Sequence, residues 1–178
     1  MQPSRLLSIY ELKHPPEKVW RALTESELIA GWLMPNDFKP VVGHHFTFRT
    51  TPRAGWDGVC HCEVLAVDPP HHLRYSWCGG PPERRGHDWF LDTTVTWTLT
   101  RSPSGGTRLR LDHEGFKSEQ EATYSILKSG WSSEKMRTSM ARVVDGLAWP
   151  TQVPTTLPGP RAVAPPKVER LLILNQRC

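Results

Sequence analysis

His61, Glu63, Tyr75 and His113 are the side chains through which this chain could orient a ligand or move a proton, with an imidazole as carrier and a carboxylate or phenol as partner. They act together only if they face one space, and strand parity decides that, because side chains two residues apart share a face of a β-strand. If Leu65 and Val67 point inward, so do Val59, His61 and Glu63. The same rule puts Leu73, Tyr75 and Trp77, then Val95, Trp97 and Leu99, then Leu109, Leu111 and His113 on that face. The result is an aromatic, apolar lining with four polar groups, the make-up of a pocket for a small organic molecule. A competing expectation puts Glu63 and the histidines at the sheet rim, satisfied by water or backbone, since His and Glu are seldom buried without a partner. A one-residue bulge would also turn His61 and Glu63 outward.

The run Cys60-His61-Cys62 with His44-His45 offers two thiolates and two imidazoles, enough for a tetrahedral zinc site. Its spacing is not that of a C-x₂₋₄-C knuckle, and alternation sends His61 to the face opposite both cysteines. The thiols are therefore read as small apolar residues packed in the sheet, and neither a metal nor a cofactor is expected. No Ser-His-Asp order, phosphate-cradling glycine motif or paired-carboxylate signature stands out.

The elements that must hold these groups follow from period and punctuation. Arg5 to Lys13 alternates as a first strand, with Leu6, Tyr10 and Leu12 on one side and Leu7 and Ile9 on the other. Pro15 and Pro16 end it, and Pro16 suits the first turn of a helix, where its missing N–H is no loss. Val19, Trp20 and Leu23 form that helix's stripe, and a second short helix runs from Ser26 to Trp32 until Pro35 stops it. From Phe38 the period becomes two. His45 to Thr51, Val59 to Val67, His72 to Cys78, Thr93 to Arg101 and Thr107 to His113 read as strands, joined by turns at Arg53 to Gly58, Asp68-Pro69-Pro70 and Ser102 to Gly106 and by a polar loop from Gly79 to Asp88. After Gly115 helical spacing returns, first from Ser118 to about Lys128 with Gly130 as an interruption, then with Met136, Met140, Val143 and Leu147 on one face. That second helix buries its stripe on the concave face of the sheet. Trp20, Trp32, Trp77, Trp97 and Trp131 belong to the core or cavity mouth, Trp56 and Trp89 to loops.

The 178 residues suit one domain over 1–149 followed by an extended tail over 150–178, where six prolines fall within residues 150–166 and Val168 to Leu174 is a short apolar exception. Arg161, Lys167, Arg170 and Arg177 against Glu169 place +3 of the net +4 charge after Trp149, leaving about +1 for the rest, too little for a nucleic-acid footprint. Four cysteines without framework spacing, and no basic-then-apolar leader, imply reduced thiols in the cytoplasm. No apolar run approaches the ~18 residues of a membrane span.

The segments HPPEKVWRALTESELIAGWLMP, WDGVCHCEVLAVDPPHHLRYSW and TTVTWTLTRSPSGGTRLRLDHEGF, with SGW before the last helix, give the chain a resemblance to the START-like (SRPBCC) superfamily over about residues 5 to 149. Within it the chain most resembles the branch related to the C-terminal domain of the activator of the heat-shock-protein-90 ATPase. That resemblance implies an α+β helix-grip fold: a curved seven-stranded antiparallel sheet wrapped around a long C-terminal helix, with two short helices after strand 1. Joined to parity, it places His61, Glu63, Leu65, Leu73, Tyr75, Trp77, Val95, Trp97, Leu111, His113, Trp131, Met136 and Met140 around a cavity between sheet and helix. The expected function is non-catalytic binding of a small hydrophobic or aromatic ligand. The alternatives are a polyketide-cyclase- or hydrolase-like enzyme, with His61 or His113 as base and Glu63 or Tyr75 as partner, and an interaction module for the heat-shock chaperone. A homodimer is compatible with each.

Overall fold

Alternating stretches of the chain become a single antiparallel sheet in the computed structural model, which describes residues 5–52, 56–79 and 91–149. The strands are β1 (Arg5–Leu12), β2 (His45–Arg49), β3 (Val59–Asp68), β4 (His72–Gly79), β5 (Leu91–Arg101) and β6 (Thr107–Glu114). They lie in the order β1-β6-β5-β4-β3-β2. Two short helices, α1 (Pro16–Thr24) and α2 (Ser26–Trp32), follow β1, and α3 (Glu121–Ser132) and α4 (Glu134–Gly146) follow β6. The α+β helix-grip layout stands, with six strands rather than seven among the described residues. Ahead of β2, Asn36 makes only an isolated bridge to Phe48. There, side chains take the backbone groups that a further strand would pair: Asn36 accepts from the Phe38 N–H at 3.1 Å and Asp37 from the Thr47 N–H at 2.7 Å.

Parity holds on β1, β4, β5 and β6. Leu6, Tyr10 and Leu12 are buried while Leu7 and Ile9 face out, as the alternation of β1 requires. On β3 the register slips. Val64 lies opposite Tyr75, but Ala66 lies opposite Arg74, so Leu65 is an extra residue in the ladder. Such a bulge moves every side chain before it to the other face relative to those after it.

Pro16 opens α1 without needing an N–H partner, and Val19, Ala22 and Leu23 bury its inner side. Trp20 is only half-buried. The two helical segments expected after Gly115 are present, but the break between them falls at Ser133, not at Gly130. Ser133 is extended (φ −66°, ψ 146°), and its hydroxyl caps α4 by accepting from the Met136 N–H at 3.1 Å. Gly130 stays helical. A short 3₁₀ turn (Ser118–Gln120) precedes α3, and Gln120, not a Ser118–Glu121 pair, reaches back to the Lys117 N–H at 3.0 Å. Among the described residues no helix is long and apolar enough to cross a membrane. Most of the loop from Gly79 to Asp88, Trp89, and the tail 150–178 with its Val168 to Leu174 stretch lie outside the described residues.

Gly58, before β3, has φ +80°, and an added Cβ would strike the Thr50 carbonyl oxygen. Gly58→Ala therefore combines a left-handed conformation with a backbone collision and should lower stability by about 2–4 kcal/mol in urea unfolding.

Candidate functional site

Leu73, Tyr75, Trp77, Val95, Trp97, Leu111 and His113 come together on the concave face, all buried as strand parity requires. Trp131 from α3 and Met140 from α4 are buried with them, and Met136 is half-buried at the edge of the same cluster. His61, Glu63 and Leu65 do not belong there. Because of the bulge at Leu65, Cys60, Cys62 and Val64 supply the buried row of β3. His61 and Glu63 take the outer face, across from Thr47 and His45 of β2. Burial pushes the Cys60 thiol up to about 12 and the Cys62 thiol well above its ordinary value, so both are packed, protonated groups. These two cysteines are free; Cys78 is disulfide-bonded, which corrects the reading of four reduced thiols.

Trp131 stands at the centre of the site. Its ring is edge-on to Trp77 (5.7 Å, 70°) and to Trp97 (5.8 Å, 83°), the geometry favoured by ring quadrupoles. Trp32 from α2 meets Trp97 at 5.7 Å, and Phe48 from β2 meets Trp77 at 5.2 Å. The polar atoms of this aromatic box are tied to one another. The Trp131 indole N–H donates to His113 Nδ1 at 3.1 Å, and His113 Nε2 meets the Thr93 hydroxyl at 2.7 Å. Thr93 in turn donates to the Trp77 carbonyl at 2.8 Å.

This chain fixes the tautomer. An indole N–H can only donate, so Nδ1 accepts and the imidazole proton sits on Nε2, directed at Thr93. Burial holds His113 down to about 3, because charging the ring would both desolvate a cation and place a proton against the indole N–H. His113 is therefore a neutral, fully paired fastening between sheet and α3. Two further hydroxyls lie nearby. Tyr10 donates to the Trp131 carbonyl at 2.5 Å, and burial raises its phenol to about 12 against the opposing pull of the Arg137 guanidinium. Tyr75 accepts from the Trp97 N–H at 2.9 Å, and burial holds its phenol far above the usual range.

Thr93, Tyr10 and Ser8 complete the site without standing among the expected residues. Parity could have supplied Thr93, two before Val95, and Tyr10, in the apolar row of β1. Ser8 interrupts that row. Its hydroxyl is buried beside Tyr10 and makes no hydrogen bond of ordinary geometry. No sequence signal pairs Trp131 with His113. Chemically, the arrangement can hold an aromatic group by ring contacts and one directed hydrogen bond.

Comparison with known proteins agrees with this architecture. The family of Activator of Hsp90 ATPase homolog 1-like proteins matches residues 13–144. Protein MLL2253 from Mesorhizobium loti is similar in structure with a TM-score of 0.69 and 39% identity, over 82% of this chain and 99% of that one. CalU16 from Micromonospora echinospora shares the fold at 20% identity, with a TM-score of 0.60 over 82% of this chain and 81% of that chain. The Aha1 dimer from Colwellia psychrerythraea does so at 20% identity, with a TM-score of 0.60 over 80% and 95%. No match was found among curated proteins. The grip of sheet on helices and the match across most of the chain make this protein a member of the Activator of Hsp90 ATPase homolog 1-like family, within the START-like superfamily.

Proposed function

We propose that the protein binds a small, uncharged hydrophobic or aromatic molecule between the concave sheet and α3–α4, without catalysis. The observation that carries this reading is the aromatic box itself. Trp77, Trp97 and Phe48 present ring surface on the sheet side, closed by a helix that contributes a single fully buried residue, Trp131. Burying a flat apolar guest against such surface supplies affinity, and a few fixed polar atoms supply orientation. Acid–base pairs that draw on His61 or Glu63 are split from the inner face, because both of those residues lie on the outer one, and Tyr75 and His113 are left as the inner pair. In this closed arrangement the acceptor nitrogen of His113 is engaged by Trp131, and no free lone pair faces a substrate proton.

Native mass spectrometry of the purified protein, then analysis of what denaturation releases, tests this directly. A stoichiometric organic ligand, or a melting temperature raised by apolar aromatic compounds, is expected; at 100 times Kd the stabilisation is about 2.7 kcal/mol. An empty protein whose melting temperature no compound of a broad aromatic panel moves would remove the proposal.

A further inference from the structure

Building on the binding reading, we infer that Trp131 occupies the ligand's own place, and that the ligand is a flat, uncharged aromatic with an O–H or N–H donor that takes over the bond to His113 Nδ1. Of the twelve residues of α3, only Trp131 is buried; Ile126 is 61% exposed and Gly130 has open space beside it. The indole makes the contacts of a guest, edge-on to Trp77 and Trp97 with its one polar atom directed at the imidazole.

The chain allows that guest to leave. Two residues after Trp131 the backbone becomes extended at Ser133, so the last turn of α3 can swing while α4 stays seated through Met140 and Val144. Among the described residues, one hydrogen bond besides that of the indole joins this turn to the sheet: Tyr10 donates to the Trp131 carbonyl at 2.5 Å. When the turn lifts, His113 Nδ1 is left as a buried acceptor, because the imidazole proton is committed to Thr93. A guest with a donor satisfies it, and a guest without one leaves it unpaired, which is unfavourable in a dry site. A charged guest would lose its hydration to a lining of neutral rings. Competition from Trp131 also sets the affinity, since a ligand that needs the open form binds in proportion to the fraction open.

Fluorescence titration with 2-naphthol and its donor-free ether 2-methoxynaphthalene tests both parts on three proteins: wild type, Tyr10→Phe and Trp131→Phe. Tyr10→Phe removes the latch hydroxyl and opens no volume. It should tighten both probes by a common factor of about three to ten, the loss of one hydrogen bond from the closed form. Trp131→Phe keeps a ring but lacks the N–H and should act in the same direction. In wild type, 2-naphthol should bind about tenfold more tightly than the ether. Unchanged or weaker binding to both variants, or equal binding of the two probes, would overturn the inference and leave the binding cup standing. If neither probe binds any of the three proteins, the cup and the inference fall together.

Discussion

Trp131→Ala should lower the free energy of unfolding by about 3–5 kcal/mol, the range for deleting a large buried ring that its neighbours cannot fully replace. Two losses combine at this position. The indole leaves a gap between Trp77 and Trp97, whose rings are fixed by their own strands and cannot close together. It also strips His113 Nδ1 of its one donor among the described residues, in a buried setting where an unpaired polar atom costs about 1–3 kcal/mol. Urea unfolding followed by circular dichroism gives the number, and an unchanged m-value would show that the variant exposes as much surface on unfolding as the wild type. Trp131→Phe separates the two losses, because it restores most of the ring volume but not the N–H. A loss below about 1 kcal/mol for Trp131→Ala would mean that the indole does not anchor α3 to the sheet.

The second large effect is a loss of stability in acid that belongs to one residue. The folded protein holds His113 at about 3, whereas an unfolded histidine titrates near 6.5. Between those values the unfolded chain takes up a proton that the folded form refuses. The contribution of His113 is therefore complete above about pH 6.5 and is lost as pH falls, by up to about 1.4 kcal/mol per pH unit, the loss reaching roughly 5 kcal/mol near pH 3. His113→Gln should remove this slope. A glutamine amide can accept from Trp131 through its oxygen and donate to Thr93 through its nitrogen, so the fastening is kept without the titration. Carboxylates that are held low in the folded state, such as Asp37 and Asp145, also lose stabilisation in acid, but they do so equally in both proteins. The quantity to compare is thus the difference between wild type and His113→Gln at pH 7, 6, 5 and 4. Parallel curves would show that His113 is hydrated in the folded state.

Element order and three of the inner rows were legible because they depend on local rules. Pro15-Pro16 marks where β1 gives way to α1, and alternation in TTVTWTL puts Thr93, Val95, Trp97 and Leu99 on one side wherever the strand lies. What was illegible depends on three-dimensional closure. Nothing in VCHCEVLAVD marks Leu65 as the extra residue, because Val64 and Val67 are equally apolar and either parity gives a credible strand. That ambiguity moved His61 and Glu63 to the wrong face and hid Cys60, Cys62 and Val64. The helix break was misplaced for a related reason. Gly130 is the weaker helix former by propensity, yet Ser133 can cap the next helix with its own hydroxyl, and that gain decided the position. The Trp131–His113 contact joins residues 18 apart through the fold alone.

The one-way run of donors from Trp131 through His113 and Thr93 to the Trp77 carbonyl also constrains how this protein can change by descent. A lineage that lost the indole at 131 would carry a buried imidazole with an unanswered lone pair, a burden relieved by exchanging the histidine for an apolar side chain. A lineage that lost the imidazole first would strand an indole N–H instead. Positions 113 and 131 should therefore drift as a couple, each substitution soon followed by the other, while Thr93, whose own proton goes to a backbone carbonyl, is freer to vary once the histidine is gone.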